Sequence, residues 1–231
     1  MLHYLQNLLQ ALDLGSLTDA FLRVAAIFIC LSVHETCHGL AAYALGDPTA
    51  KAMNRLSLNP LRHIDWFGLA MMFVAGFGWA KPVPVQSRYF ANQRTGMMLV
   101  AVAGPLTNFV LALLSAFALR MVMGTFSYGG ELSFVQYALF NMLYFGVWIN
   151  CVLAIFNLLP IPPLDGSHIL TGFLPDSLAR AYWGLGRYSM VLVILLVASG
   201  ALGSVLIPLV LGCARFICLL AGVNPDLIGF V

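Results

Sequence analysis

The sequence places His34, Glu35 and His38 in the run His-Glu-Thr-Cys-His, inside an otherwise apolar stretch. On a helix, positions i and i+4 share a face, so both imidazoles reach one divalent ion while the adjacent carboxylate acts on a water beside it. That arrangement suits hydrolysis. With only five His in the chain, about 0.001 occurrences of the pattern are expected by chance. An ionisable side chain near mid-bilayer costs about 2.5 kcal/mol or more, so three of them in one apolar turn mark a functional cluster rather than packing. A catalytic zinc takes three protein ligands and keeps a position open for water. Asp13, Asp19, Asp47, Asp65, Glu131, Asp176 and Asp226 mostly read as solvated loop acids, but Asp165 differs. It follows a stretch in which Pro160, Pro162 and Pro163 break a helix. The backbone groups freed there are tolerated at membrane depth only beside a protein-lined or watered cavity. An acid at that break can be a third ligand; a solvated helix-end Asp is the other reading.

The elements that must carry these residues are membrane helices. Of 231 residues, 61% are hydrophobic and 9% charged, against about 45–50% and about 25% in soluble domains. A net charge of +2 leaves no basic surface for a nucleic-acid backbone, so nucleic acid is excluded as a partner and the lipid bilayer is expected. The five cysteines, all in apolar stretches and never as CxxC, argue against a disulfide framework. The N-terminus has no basic start or small-residue cleavage site, so no removable signal is expected and residues 1 to 15 read as an amphipathic lead-in. Uncharged runs place spans at Thr95 to Leu119 and Leu132 to Leu164; Leu17 to Leu45 is a further apolar span although it holds Arg23, His34, Glu35 and His38, and a hinged pair between Ser177 and Val223 bends near Gly200 to Gly203. The shorter Trp66 to Ala80 reads as a re-entrant segment. Lys51, Arg55 and Arg62 before it, and Lys81, Arg88 and Arg94 after it, put both its flanks on the cytoplasmic side. That orientation brings the ends of the first and fourth stretches, with His34 and Asp165, to one depth. The expected fold class is an all-α polytopic membrane protein of about five or six transmembrane helices, with a re-entrant or short β segment near the cytoplasmic side. KPVPVQ at 81 to 86 is the strand candidate. The whole of 1–231 reads as one membrane-embedded domain, with a core over about 17–170 and a C-terminal helical pair over about 177–223.

HETCH, GDPTAK, LSLNPLRHID, GWAKPVPV, AGPLTN and NLLPIPPLDG, in that order, resemble the site-2 protease family of intramembrane zinc metalloproteases. The match runs from about His34 to Leu170, and HExxH combined with LDG on a later membrane helix is highly specific. The resemblance implies a three-helix catalytic core in the inner cell membrane and one zinc per chain, held by His34, His38 and Asp165. Glu35 would be the catalytic base, and cleavage would fall within a transmembrane protein or peptide substrate, as in regulated intramembrane proteolysis. It also associates Asn157 and Pro163 with substrate engagement. The chain has no room for the PDZ or CBS domains of many relatives and reads as the minimal form. Ser167 stands where the family often has a second Gly, a change expected to be tolerated.

Other polar residues have plainer readings. Cys37 is expected as packing filler, His168 as an interfacial residue or an oxyanion donor, and His3 and His63 as loop residues. Asn108 either bonds a neighbouring helix or approaches the substrate backbone. The rival function is a membrane zinc transporter or metal-binding protein, which has no need of Glu35 as a base.

Overall fold

The computed structural model describes residues 17–75, 80–126 and 133–230; the expected lead-in at 1 to 15, with His3, Asp13, Gly76, Gly78 and Glu131, lies outside them. The described chain is helical. In order come α1 (Leu17–Ala44), α2 (Trp66–Ala75), α3 (Gln93–Met123), α4 (Phe134–Asn157), α5 (Asp165–Phe173), α6 (Asp176–Leu185), α7 (Ser189–Ala198) and α8 (Ala201–Leu220). Among the described residues, four helices are long and apolar enough to cross a membrane: Phe21–Ala44, Gln93–Met123, Phe134–Asn157 and Ala201–Leu220. α2 and α7, at ten residues each, rise only about 15 Å, half of a hydrocarbon core of about 30 Å. The C-terminal stretch breaks at Gly200, whose φ of 76° lies in the left-handed region. Its first half is divided further, into α6, a short 3₁₀ turn and α7.

The chain forms two compact units. One comprises α1 up to Ile27, Asn108–Phe156 and Gly186–Val231. Its core joins Ala112, Ala116 and Leu119 of α3, Val147 and Cys151 of α4, and Val210, Ala214, Ile217 and Cys218 of α8. Small side chains at these contacts allow close approach where lipid gives no hydrophobic drive between helices. The opposite face of α3 exposes Val110, Leu114, Phe117 and Met121, a stripe at helical spacing that suits acyl chains as solvent. Asn108 is fully buried here and donates to Asn150 Oδ1 at 2.7 Å, and Asn150 in turn donates to the Gly146 carbonyl. Asn108 therefore makes the interhelical bond that was one of its two readings.

The other unit comprises Phe28–Thr107 and Asn157–Leu185. It has no strand among its described residues, only an isolated antiparallel bridge between Ile64 and Ala80. The expected strand at 81 to 86 lies alongside α1 without a ladder. Pro82 and Pro84 lack N–H groups, and side chains take the bonds a neighbouring strand would make. Arg55 donates to the Lys81 and Pro82 carbonyls, the Val83 N–H donates to Glu35, and the Gln86 N–H donates to Asp47. This segment is termed the strap below.

Asp47 anchors the far end of the strap. It is fully buried, and besides the Gln86 N–H it accepts the N–H and hydroxyl of Thr49. Burial pushes its carboxyl upward, but these bonds and the nearby Arg88 charge outweigh burial and hold it below the ordinary carboxylate value. A lowered folded-state value stabilises the fold above the unfolded value of about 3.9 and is lost as pH falls through the folded one. Asp47→Asn is expected to cost about 1–3 kcal/mol at pH 7, read as a lower thermal midpoint in detergent. The gap to wild type should close as pH drops below about 4; equal midpoints at pH 7 would contradict the assignment.

Candidate metal centre

α1 carries the two histidines one turn apart, and α5 begins with the acid. The Nε2 atoms of His34 and His38 lie 3.0 Å apart, and each is 3.3 Å from Asp165 Oδ2. Both imidazoles are buried and Asp165 is partly so. Asp165 Oδ2 is buried without a hydrogen-bond partner. His38 Nδ1 lies 2.7 Å from the Val100 carbonyl. A carbonyl only accepts, so Nδ1 carries the proton and Nε2 turns its lone pair toward the other two atoms. Lone pairs and a carboxylate oxygen gathered this closely repel one another unless a cation sits among them. A tetrahedral ion with bonds of about 2.0–2.1 Å separates its ligand atoms by about 3.3–3.4 Å, close to the spacings found. The donor set of two imidazoles and a carboxylate fits zinc.

Local structure holds each ligand in place. α3 passes directly behind the imidazoles: a Cβ added at Gly104 would meet both the His34 and His38 rings. Pro105 follows and removes the N–H that would bond the Ala101 carbonyl, beside the Val100 carbonyl that orients His38. The segment before α5 is turned by bonds from Ile161 N–H to the Leu159 carbonyl and from Leu164 N–H to the Ile161 carbonyl, around a cis Pro162–Pro163 bond. A Cβ at Gly166 would collide with the Leu158 and Leu159 carbonyls, so the glycine of LDG lets α5 start against its own approach loop. Ser167 is fully buried and donates to the Leu164 carbonyl. Arg94 at the start of α3 fixes the other end of α5–α6, donating to the Thr171 carbonyl and pairing with Asp176 at 3.0 Å.

Glu35 stands beside this cluster and its Oε2 accepts the Val83 N–H at 2.9 Å. Of the expected substrate contacts, Asn157 ends α4 and Pro163 is exposed on the loop before Asp165. Asn108 lies in the other unit. Cys37 is not among the converging ligand atoms, and the His168 ring lies 4.8 Å from that of Trp183. Sequence reasoning gave His63 no partner; it is buried and donates from Nε2 to the Ser57 carbonyl. Asp47, expected as a solvated loop acid, is instead fully buried, and Asp47-Pro-Thr49 carries the signature of an Asx turn; Arg55, expected only as a topology signal, is buried as well.

An acid from a second helix meeting an HExxH helix, with four membrane-length apolar helices among the described residues, is the arrangement of a membrane-embedded metalloprotease. The sequence model of Peptidase family M50 matches residues 22–197. The chain is 38% identical to the protein named "Putative zinc metalloprotease YwhC" of Bacillus subtilis (strain 168), over 75% of this chain and 78% of that one. It is 28% identical to "Putative zinc metalloprotease Rip2" of Mycobacterium tuberculosis (strain H37Rv), over 75% of this chain and 65% of that one. With "Putative zinc metalloprotease MJ0611" of Methanocaldococcus jannaschii it shares 36% identity over 45% of this chain and 48% of that one. No solved structure matches. The chain belongs to Peptidase family M50, the site-2 protease family, and is a metalloprotease integral to a membrane.

Because Gly104 and Gly166 leave no room for a side chain, Gly104→Val and Gly166→Ala should each displace a ligand and lower metal per protein at least fivefold. Elemental analysis of purified protein, with circular dichroism confirming retained helix, measures this. Full metal loading in both variants would contradict the packing account.

Proposed function

We propose that this protein is an intramembrane zinc metalloprotease that hydrolyses peptide bonds within or beside the transmembrane helices of membrane-protein substrates. It binds one zinc per chain and works as a single domain in the inner cell membrane. The observation that carries the reading is the 3.0–3.3 Å convergence of His34, His38 and Asp165 with Glu35 one residue from a ligand. His34, His38 and Asp165 would hold the ion. When bound, zinc lowers the pKa of water toward about 7 and polarises a carbonyl.

The chain's own residues do the rest. Glu35 takes the proton of the attacking water on its carboxylate and returns it to the leaving amine nitrogen. The Val83 N–H, bonded to Oε2, holds that carboxylate in position. A peptide bond inside a helix is shielded and its carbonyl already bonded, so the substrate helix must unwind locally before attack. The unwound stretch lies extended beside the strap at 81 to 86, with Asn157 and Pro163 engaging its backbone. Lys and Arg flanking α2 put the site toward the cytoplasm, from where water enters, and make α2 a segment that dips into the bilayer and returns.

Glu35→Gln separates hydrolysis from metal transport. In detergent, with a transmembrane peptide as substrate, wild type and variant should bind equal zinc while the variant's turnover falls at least a hundredfold. A variant that cuts at the wild-type rate overturns the reading. So does a pair of proteins that cut nothing but pass zinc across a vesicle membrane.

A further inference from the structure

Arg55 is a buried cation, 8% exposed. Among the described residues no ion pair includes it. Its Nη2 donates to two successive carbonyls of the strap, Lys81 at 2.8 Å and Pro82 at 3.2 Å, and its Nε is buried without a partner. Burying a guanidinium is costly, and the arrangement persists only where the charge-assisted bonds it makes are needed. The next residue along the strap is Val83, whose N–H meets Glu35 Oε2.

The loop that carries Arg55 is itself fixed to the HExxH helix. The hydroxyl of Thr36, beside Glu35, lies 2.6 Å from the Ser32 carbonyl and 2.8 Å from the Ser57 carbonyl and shares its one proton between them. His63 holds the same Ser57 carbonyl, and the Lys81 N–H bonds the His63 carbonyl. One turn after Glu35, a Cβ on Gly39 would press on Leu56 and Val83. The strap thus runs against α1 at the turn of Glu35, clamped by Arg55 on one side of Val83 and by Asp47 at Gln86 on the other.

We infer that Arg55 is a positioning residue for Glu35: by holding the Lys81 and Pro82 carbonyls it fixes the Val83 N–H on the carboxylate and so sets where the base stands. The inference rests on the proposed role of Glu35. Both bonds leave one nitrogen, Nη2, which the rigid guanidinium plane holds in place; a lysine ammonium, on a shorter and more flexible stem, reaches the same carbonyls less well. Loss of Arg55 frees the strap and leaves Glu35 in several orientations, slowing the chemical step while substrate binding and the metal ligands remain.

The test uses the full chain in detergent with a transmembrane peptide substrate and compares wild type, Arg55→Ala, Arg55→Lys and Glu35→Gln. Arg55→Ala should lower kcat at least tenfold with KM within twofold and zinc per protein unchanged. Arg55→Lys should recover part of the loss. Amide hydrogen exchange at Val83, slow in wild type, should speed at least tenfold in Arg55→Ala while exchange in α3 stays as it was. Wild-type kcat in Arg55→Ala overturns the inference, as does a loss that tracks zinc content or KM. If Arg55→Ala does not fold, Arg55→Lys decides: kcat equal to wild type, or a fall accompanied by zinc loss, overturns it. Glu35→Gln separates the two claims. If it cuts normally, the role of Glu35 falls, and Val83 exchange alone still reports whether Arg55 holds the strap.

Discussion

Two imidazole nitrogens and a carboxylate oxygen meet in a largely buried setting, and a cation among them would let them stay that close. His34 Nε2, His38 Nε2 and Asp165 Oδ2 stand 3.0–3.3 Å apart, and at low dielectric such a gathering is unfavourable without a positive charge at its centre. The surrounding features lead to this point. The Val100 carbonyl fixes the tautomer of His38, and Gly104 lets α3 lie against both rings. Gly166 lets α5 start where its first residue reaches α1, and Arg94 holds the far end of that helical pair. The ion would therefore tie helices remote in sequence to each other, and metal binding and local folding would be parts of one equilibrium.

The three residues that converge in the candidate centre were legible in the sequence because their signals are local. HExxH needs only the helical period, and Asp165 stands out because three prolines before it break a helix where a break must be useful. The long spans were legible as apolar windows, of which those within α3 and α4 are free of charge. What was not legible depends on proximity between distant residues: His38 and the Val100 carbonyl are 62 positions apart, Asp47 and Gln86 are 39, and Arg55 and Lys81 are 26. The Asx-turn pattern around Asp47 announces its bond to Thr49 but not its burial or its bond to Gln86. The strand expected at 81 to 86 illustrates the same limit. Alternating proline and valine predicted an extended segment, but only the fold supplies the guanidinium and two carboxylates that replace a neighbouring strand.

That replacement bears on function. A strap held by side chains rather than by a ladder keeps an extended backbone beside α1 without needing a sheet around it. It also links Glu35, through the Val83 N–H, to Arg55 on a separate loop, so the position of that carboxylate depends on contacts outside the HExxH run. The same economy shows in the choice of residues along α1: Thr36, inside the motif, bonds the Ser57 carbonyl of the loop that carries Arg55.

Zinc-edge X-ray absorption on the protein as purified tests the central claim most directly. The account predicts two imidazole nitrogens and carboxylate or water oxygens at about 2.0–2.2 Å, and no sulfur. A thiolate sulfur at about 2.3 Å, from Cys37 or any other cysteine, or a shell of oxygens alone, would contradict the assignment of His34, His38 and Asp165 as the ligands.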